Sequence, residues 1–536
     1  MITFDSSPTI YWLAGYVLAG IVIIASGWRK VPDRLFLLLC LTLFVFMRLP
    51  AIVFNRELNP DESQMLSHAI TLFQDPVYWR SVDGTTIGPL DNYLLVIPRI
   101  LGFQINYTSG RLMGMLCSAG ALTFLFLSLK NWFSGGRRWA FAATVIMLAF
   151  TQELDFVHYS SEQLPVFMLS ACVWLFSRLS IQKKLSPRAL FVLGLVAGAS
   201  PFAKLQVVPM ALVIVAGACW LCFVHFRKNK NLTHVFSLLA GGLAFPLVVL
   251  AWTFTFGVFR DLIDFYLLGN VIYAGGKGFW SIPSQFALIL RRSTDFQIYS
   301  MVLLVPIIAG LIRIVTIFRR KEEQYPVPVT LGLLLLATIY AVTKSGNDFV
   351  HYLNFCFIPW TLLAAYGFAK PGKWHLAFPA IVLACFITCD AFLFRKEHRL
   401  NDFPSTGARG LGESEVVKAA RKFIRKGDYM TVWGWQCIYY VEAQLAQGTA
   451  ENHSERSIFS HPLRDTYRQR YLSDVERTRP AVILDAVGKN SFWVQDRPTQ
   501  DLRCFPGLFS YVSKNYSLAG DYDGTRLYVR NDRLKL

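Results

Sequence analysis

The stretch LFLLLCLTLFVFMRLPAIVFNRELNPDESQ, residues 35–64, joins two segments of opposite character. Its first part, residues 35–54, is almost wholly apolar and, at about 20 residues, is long enough to cross a bilayer. Its second part is polar and sets Asp61 and Glu62 side by side. Adjacent carboxylates repel each other, and a low dielectric strengthens the repulsion. The stretch therefore predicts a membrane span leading into a polar segment, where a cation, a proton to be transferred or open solvent offsets the repulsion.

Apolar segments of similar length recur along the first three quarters of the 536-residue chain, which is 54% hydrophobic and only 16% charged. A soluble domain carries nearer about 25% charged residues. The net charge is +18, but Lys and Arg cluster in short loops between the apolar segments. That placement is typical of positive-inside membrane topology and argues against nucleic-acid binding. The composition predicts a polytopic, mainly α-helical membrane protein.

The apolar pattern predicts about twelve transmembrane helices. They cover residues 9–27, 35–54, 109–128, 139–154, 162–180, 188–204, 206–225, 234–255, 297–317, 327–344, 352–369 and 375–393. Placing every basic loop inside puts both ends of the chain outside, as an even number of spans requires. In this topology the polar segment NPDESQ faces the extracytoplasmic side.

The chain is predicted to contain two domains. Residues 1–395 form the membrane module, with outer loops at 55–108 and 256–296, and residues 396–536 form a small extracytoplasmic α/β domain. The segment SQMLSHAITLFQDPVYW, residues 63–79, has apolar residues at helical spacing and predicts an amphipathic helix on the membrane surface. LDNYLLVIPRILGF is a second segment of this kind.

The outer domain alternates strand and helix patterns. YMTVWGW and PAVILDAV are typical of buried strands, YSLAGDYDGTRLYVRN of a hairpin, and SEVVKAARKFIRKG, IYYVEAQLAQG and LRDTYRQRYLSDVERT of helices. None of the ten cysteines has the spacing of a zinc site. Cys437 and Cys504 are able to form a disulfide if this domain is extracytoplasmic, and the sequence leaves that open.

Asp61 and Glu62 are the first candidates for chemistry. One carboxylate can take the proton of an attacking hydroxyl while another helps to hold a divalent cation. The structural alternative is the first turn of a helix, because Pro60 followed by two acidic residues suits a helix N-terminus. The motif by itself does not decide between these interpretations.

Two further outer junctions carry polar residues. In DFVHYSSEQLP, residues 155–165, Asp155, His158 and Glu162 offer ligand atoms, although a helix-capping turn explains the same pattern. In SPFAKLQVVP, Lys204 and Gln206 interrupt apolar sequence. Lysine binds phosphate well as a point charge, and snorkelling to the interface is the alternative.

A third junction, KSGNDFVHYLNF, gathers Lys344, His351 and Tyr352, and Arg111 is a further outer cation. The outer face thus combines carboxylates able to act on a hydroxyl with cationic side chains able to bind a phosphate. The apolar surroundings suit a lipid tail, and together these features indicate one reaction class. It is the transfer of a group from a lipid phosphate carrier to an acceptor hydroxyl.

These motifs resemble those of the GT-C membrane glycosyltransferases, in particular the branch with protein O-mannosyltransferases and the lipid A aminoarabinose transferases. NPDES matches the place of the Asp-Glu signature, GPLDNYLL the segment after the surface helix, FAKLQVVP a lysine-containing junction and HYLNFCFIP a His-Tyr motif before a proline. The resemblance covers the whole chain. It implies inverting sugar transfer from a polyprenyl-phosphate donor to a glycan, lipid or protein acceptor.

The resemblance also implies roles for the residues. Asp61 is the catalytic base and Glu62 assists it. Donor phosphate binding is expected at Lys204, Lys344, His351 and Arg111, and acceptor or substrate binding at Asp155, His158, Glu162, Gln206 and Tyr352. A divalent cation, Mg²⁺ or Mn²⁺, is expected at Asp61, Glu62 and Glu162. The protein would work in the bacterial inner membrane with its active site outside.

The sequence departs from the family pattern at two places. Gly88 in TTIGPL stands where the aminoarabinose transferases have a lysine, and one span precedes the usual first span. Sugar and acceptor are therefore left open. An O-antigen polymerase or ligase is the alternative enzyme, and a lipid-linked sugar flippase is the alternative outside enzymes, although internal repeats and midspan charges typical of transporters are not visible.

Overall fold

The computed structural model describes residues 8–133, 137–182, 184–276, 278–320, 326–369, 372–398, 400 and 408–534. The α-helices are α1 (Pro8–Gly27), α2 (Asp33–Val53), α3 (Pro60–Gln74), α4 (Pro89–Leu94), α5 (Ile97–Ile100), α6 (Tyr107–Trp132), α7 (Arg137–Phe150), α8 (Leu154–Val157), α9 (Gln163–Ile181), α10 (Pro187–Ala199), α11 (Val208–Asn229), α12 (Thr233–Thr255), α13 (Phe259–Asp261), α14 (Gly269–Tyr273), α15 (Ile282–Arg292), α16 (Thr294–Arg320), α17 (Pro326–Thr343), α18 (Phe357–Gly367), α19 (Ala377–Glu397), α20 (Glu415–Ala420), α21 (Ile438–Ala443), α22 (Glu455–Ile458), α23 (Arg464–Thr478), α24 (Arg497–Gln500) and α25 (Pro506–Asn515). A 3₁₀-helix at Leu205–Val207 precedes α11, and another at Val350–Cys356 precedes α18.

The chain divides into two compact units. The helical unit comprises Met1–Val53, Gly114–Ala251 and Tyr273–Gly407. The mixed unit comprises Phe54–Met113, Trp252–Ile272 and Ala408–Leu536. The mixed unit thus contains most of the predicted first outer loop together with the predicted C-terminal domain.

Eight helices among the described residues are long and apolar enough to cross a membrane, which confirms a polytopic, mainly helical membrane protein. They are Thr9–Gly27, Asp33–Val53, Tyr107–Trp132, Gln163–Ile181, Leu205–Asn229, Thr233–Thr255, Thr294–Ile317 and Trp374–Glu397, and each matches a predicted span. The other four predicted spans fall on the shorter helices α7, α10, α17 and α18. The total of twelve spans therefore stays a prediction.

Helix α7 shows why the sequence pattern overestimates span length. Its 14 residues make a helix of about 21 Å at 1.5 Å per residue, shorter than the hydrocarbon core of about 30 Å. Every residue from Trp139 to Phe150 is buried. A helix that is apolar on all sides is a core helix, so α7 lies in the interior of the helical unit.

The small sheet of the mixed unit has the strand order β2-β1-β3-β5-β4. Its strands are β1 (Tyr429–Trp433), β2 (Ala446–Gln447), β3 (Val482–Asp485), β4 (Tyr516–Tyr522) and β5 (Thr525–Arg530). Strand β1 pairs in parallel with β2 and β3, and β5 runs antiparallel to β3 and β4. The two predicted buried strands and the final hairpin are confirmed.

Two helix predictions for this region were partly wrong, and the open question of a disulfide is answered. The helix predicted for IYYVEAQLAQG ends at Ala443, since Gln444 adopts a left-handed φ of 56° and the chain then enters β2. The helix predicted for SEVVKAARKFIRKG ends at Ala420 and continues only as a 3₁₀ turn. Cys437 and Cys504 are both free thiols.

Helix α3 is present where predicted, but it is not a surface helix. Every residue from Glu62 to Leu72 is buried. Its polar side faces protein, because Asn452 donates to the Ser67 hydroxyl at 2.6 Å and the Gln447 N–H donates to the Thr71 hydroxyl at 3.0 Å. Helix α3 is therefore an interior helix of the mixed unit. The segment that follows α5 does expose apolar side chains, with Leu101 67% and Phe103 66% exposed.

The mixed unit also buries charged groups. Arg470 pairs with Asp83 at 2.5 Å. Glu451 is 2% exposed and accepts a hydrogen bond from Ser457, whereas its other carboxyl oxygen has no partner among the described residues. Burial, only partly offset by Arg470, raises the pKa of Glu451 to about 8.

We expect Glu451 to make the mixed unit less stable in alkali. Its pKa is raised from 4.5 to about 8 on folding, so its contribution to stability is complete below pH 4.5 and is lost as the pH rises through 8. Glu451→Gln should remove a pH dependence on the order of 5 kcal/mol in the thermal unfolding of the detergent-solubilised protein. Glu415→Gln, at an exposed position, is the control, and an unchanged profile in Glu451→Gln would contradict the expectation.

Candidate active site

Asp61 and Glu62 lie in the first turn of α3, in agreement with the interpretation of this motif as a helix start. Asn59 is the N-cap, and its side chain accepts a hydrogen bond from the Asp61 N–H at 3.0 Å. The Asp61 carboxylate is half-buried and forms no hydrogen bond or ion pair within the described part of the chain. The Asn59 cap engages only the backbone N–H of Asp61, so the Asp61 carboxylate is left available. A helix start and a catalytic role for Asp61 are therefore compatible.

Glu62 has the opposite environment. It is fully buried and forms a bidentate ion pair with Arg111 of α6, with Nε to Oε1 at 2.7 Å and Nη2 to Oε2 at 2.6 Å. Oε2 also accepts the Leu58 N–H at 3.0 Å. Both Glu62 oxygens are thus engaged by protein donors. The roles of Glu62 as a metal ligand and as a catalytic partner of Asp61 stay predictions, and the buried pair with Arg111 favours a structural role.

The donor-phosphate role of Arg111 likewise stays a prediction, and the contacts of this residue favour a structural role. Its side chain is 1% exposed. Besides Glu62, the guanidinium donates to the carbonyl oxygens of Phe54 and Arg56. Because these acceptors lie on the segment before α3, Arg111 ties α6 to the stretch that positions Asp61.

Glu57 is a candidate that the sequence analysis missed. Ser63 donates a hydrogen bond to its carboxylate, and Ser63 also bonds to the Tyr107 hydroxyl at 2.7 Å. Burial, with smaller contributions from Glu62 and Asp61, raises the pKa of Glu57 to about 7. The signal was the run of three acidic residues within six positions, ELNPDE. Glu57 can exchange a proton near neutral pH in the neighbourhood of Asp61.

The helical unit contains a second polar cluster, and Lys204 lies in it. Lys204 is 5% exposed and donates to the Ser161 hydroxyl at 2.7 Å and to Glu162 Oε1. Tyr352 covers this ammonium group, with the Lys204 Nζ 5.3 Å from the ring centroid. Lys204 is therefore held by an ion pair, which rules out simple snorkelling. Its positive charge is already matched by Glu162.

His351, Asp155 and His158 form the other half of this cluster. His351 Nδ1 lies 2.9 Å from Asp155 Oδ1, and His351 Nε2 lies 4.0 Å from Glu162 Oε1. His158 Nδ1 lies 2.6 Å from the Leu154 carbonyl oxygen, so Nδ1 carries the hydrogen. His158 Nε2 is then a buried acceptor, with no hydrogen-bond partner in the ranges that the structure covers.

The pKa of Asp155 reflects these neighbours. Burial raises the pKa of Asp155, but the hydrogen bond and charge of His351 outweigh it. The pKa consequently lies below its ordinary value, and Asp155 is an anion at neutral pH.

The remaining predicted residues have the following contacts. Tyr352 bonds through its hydroxyl to that of Tyr273 at 3.0 Å, and Asn347 donates to Tyr273 at 2.7 Å. Gln206 donates to the Ala341 carbonyl oxygen at 3.0 Å. Lys344 is half-buried and has no ion pair among the residues described. The structure thus brings Asp155, His158, Glu162, Lys204, His351 and Tyr352 together within the helical unit.

A metal ion fits one part of the cluster. Asp155, His158 and His351 each offer one ligand atom, and these atoms lie within 4.8 Å of one another. The buried, unpartnered His158 Nε2 is the kind of atom that a metal would satisfy. Two imidazoles and a carboxylate favour a first-row transition metal over Mg²⁺. The fit is better than for the predicted set of Asp61, Glu62 and Glu162, because Glu62 is engaged by Arg111.

The architecture, many apolar helices with a small C-terminal sheet, is similar to that of solved polytopic membrane proteins. The crystal structure of ArnT from Cupriavidus metallidurans bound to undecaprenyl phosphate matches with a TM-score of 0.52 and 11% identity, and its apo structure with 0.53 and 10%. Each match covers 92% of this chain and 97% of that chain. At this identity the likeness establishes the fold.

The oligosaccharyltransferase of Archaeoglobus fulgidus in the apo form is also similar, with a TM-score of 0.42, 12% identity, and 94% of this chain and 75% of that chain covered. No protein-family model matches the sequence, and neither does any curated protein. The fold that the motif resemblance implied is confirmed by the two ArnT structures.

Proposed function

We propose that the protein is a membrane glycosyltransferase that moves a sugar from a polyprenyl-phosphate donor to an acceptor hydroxyl. The observation that carries the proposal is the difference in environment between the two adjacent carboxylates. Glu62 forms a buried ion pair with Arg111, whereas the Asp61 carboxylate is half-buried and forms no hydrogen bond with any described residue. The GT-C fold supports it, since the ArnT structure with this fold binds undecaprenyl phosphate, a lipid phosphate.

The reaction is one displacement with inversion. Asp61 takes the proton of the acceptor hydroxyl as the oxygen forms its bond to the anomeric carbon. The bond from that carbon to the phosphate oxygen breaks, and its electron pair leaves with the polyprenyl phosphate. Asp61 then returns the proton to solvent, and Glu57, with its pKa of about 7, is a neighbouring group able to take it.

The cluster of the helical unit is proposed to bind the donor phosphate. Glu162 neutralises Lys204, and Asp155 adds a negative charge that His351 matches only when the imidazole is protonated. These charges leave little net attraction for an anion. A divalent cation held by Asp155, His158 and His351 would supply the charge that stabilises the departing phosphate. Lys204 and Lys344 then orient the phosphate oxygens through their ammonium groups.

The proposed location of the reaction is the extracytoplasmic side of a bacterial inner membrane. This assignment rests on the basic loops between the spans, which positive-inside topology puts in the cytoplasm. The acceptor hydroxyl would belong to a glycan, lipid or protein of the cell envelope.

The test of the proposed function is reconstitution. The protein in nanodiscs should release polyprenyl phosphate from polyprenyl-phosphate sugars when an acceptor extract from the cell envelope is added, as measured by mass spectrometry. Surface glycans of cells without the protein should lack one sugar. Unchanged glycans together with no release of the lipid phosphate would refute the proposal.

We expect His158→Ala to weaken metal binding by the helical unit. Losing one of three ligands should lower Mn²⁺ and Zn²⁺ affinity by at least about tenfold, as removing even an outer-shell partner of a site costs about 10- to 100-fold. Metal content of the chelated and reloaded protein, measured by mass spectrometry, checks this without an activity assay. His398→Ala, at an exposed position, is the matched control, and equal metal content in both variants would contradict the assignment.

A further inference from the structure

A surface loop of the mixed unit holds a tryptophan in a conformation that large side chains avoid. Trp493 has a φ of 62°, and the Val494 N–H donates to the Phe492 carbonyl oxygen at 2.8 Å. This hydrogen bond between residues two apart closes a γ-turn with positive φ, a rare and strained turn. Positive φ is uncommon outside glycine and unfavourable for bulky residues. Backbone strain of this kind concentrates at functional sites.

Hydrogen bonds from the rest of the loop hold the turn in place. The Phe492 N–H donates to the Trp435 carbonyl oxygen at 2.9 Å, and the Trp435 N–H donates to the Ser491 hydroxyl at 2.8 Å. The Gly488 N–H donates to the Val494 carbonyl oxygen at 3.2 Å. The loop is therefore fixed to the end of β1, and its conformation is determined by more than its own sequence.

The turn presents the Trp493 ring to solvent on a rigid aromatic support. Trp493 is 51% exposed, and its ring stacks on Phe492 with a centroid separation of 4.8 Å and an interplanar angle of 20°. Trp435 contacts both rings edge-on, at 5.4 Å from Trp493 and 5.2 Å from Phe492. Trp435 itself stacks on the buried His453 at 4.1 Å. We name Trp493, Phe492 and Trp435 the aromatic platform.

Polar and charged side chains lie next to Phe492 and Trp493 in the sequence. Lys489 pairs with Asp523 at 2.5 Å, and the Asn490 amide donates to the Asp523 carbonyl oxygen at 2.9 Å. Gln495 and Asp496 are exposed on the other side of the turn. The exposed Trp493 ring is a flat apolar surface within a short segment that also carries amide, ammonium and carboxylate groups.

We propose that the aromatic platform binds a saccharide. The C–H face of a sugar ring is apolar and packs flat on an indole, while its equatorial hydroxyls reach polar groups at the edge. Because the platform is held rigid before binding, little side-chain freedom is lost on association. The proposed function makes this saccharide the glycan acceptor, and that identification rests on the proposed function.

A lipid surface suits the platform less well. A membrane-interface tryptophan belongs to an aromatic belt at the ends of spans, whereas residues 489–496 are polar except for Phe492, Trp493 and Val494. The carboxylates of Asp496 and Asp523 would also be repelled by anionic headgroups. Trp280 of the helical unit is 92% exposed beside Phe279, and it provides the matched comparison.

The test measures binding of three soluble trisaccharides, maltotriose, mannotriose and chitotriose, to the full-length protein in nanodiscs by saturation-transfer NMR. At least one should bind, and Trp493→Gly should weaken it by about tenfold or more, which corresponds to 1.4 kcal/mol. Glycine accepts the positive φ, so the turn should persist and the thermal unfolding midpoint should not fall. Trp493→Phe should retain much of the binding, and Trp280→Ala all of it.

Three outcomes would overturn the proposal. They are no binding of any trisaccharide, equal binding by Trp493→Gly, and quenching of Trp493 fluorescence by brominated lipids in the nanodisc, which would assign the platform to the membrane. Asp61→Asn should bind the trisaccharide as the wild type does, so binding is separable from transfer. Loss of binding in Trp493→Gly with an unchanged KM for the acceptor would overturn the acceptor role and leave the proposed function intact.

Discussion

Asp61→Asn is expected to abolish sugar transfer while leaving the chain folded and inserted in the membrane. An amide cannot accept the acceptor proton, and a positioned general base typically contributes about 100- to 10,000-fold to the rate. Release of polyprenyl phosphate by the reconstituted variant should fall by that factor. The side chain forms no hydrogen bond in the described residues, and the N-cap contact uses only the Asp61 N–H, so the unfolding midpoint should stay within error of the wild type.

The control for Asp61→Asn is a carboxylate that shares its environment but not its role. Glu57 has a pKa of about 7, so it is partly protonated and uncharged at neutral pH. Glu57→Gln mimics that uncharged state. We expect it to lower the rate much less than Asp61→Asn does. Full activity in Asp61→Asn would exclude Asp61 as the base, and an equal loss in both variants would assign the base to the pair.

Sequence alone predicted the features that depend on local composition. The span at residues 35–54 follows from apolar length, and the strands at Tyr429–Trp433 and Val482–Asp485 follow from short apolar segments between turn signals. The helix start at Pro60 follows from capping chemistry. Each of these is decided by residues within a few positions of one another, which is the information that a single sequence carries.

The environment of the candidate site depended on distant parts of the chain. Arg111 reaches Glu62 across 49 positions, and His351 reaches Asp155 across 196. No sequence periodicity links residues so far apart. Glu62 was therefore assigned to catalysis and metal binding, and Arg111 to phosphate binding, on the basis of their charges. The raised pKa of Glu57 has the same origin, since it comes from burial by tertiary packing.

Helix α3 illustrates a second limit. Its apolar positions recur at helical spacing, and an amphipathic helix on a membrane has the same pattern as one covered by protein. The polar face, with Ser67 and Thr71, bonds to Asn452 and Gln447 more than 370 positions away. A sequence pattern fixes which face is apolar, but the partner of each face is a property of the fold.

Glu62→Gln is expected to destabilise the mixed unit strongly, which distinguishes its role from that of Asp61. The ion pair with Arg111 has both side chains 1% exposed. Removing one member of a buried pair leaves an uncompensated charge and typically costs about 3–5 kcal/mol. The thermal unfolding midpoint in detergent should fall, and hydrogen exchange across α3 should rise, whereas Asp61→Asn should change neither.

A double-mutant cycle separates the pair from the rest of the site. Arg111→Met should be as destabilising as Glu62→Gln. It removes the hydrogen-bond donor of the Glu62 carboxylate and of the carbonyl oxygens of Phe54 and Arg56. Combining the two should recover part of the loss, since no buried charge then remains unpaired. If Glu62→Gln folds as stably as the wild type but loses transfer, the pair is not structural and Glu62 acts in catalysis. If stability falls and the residual folded protein still transfers sugar, the two adjacent carboxylates have separate tasks, with Glu62 holding the helix start from which Asp61 acts.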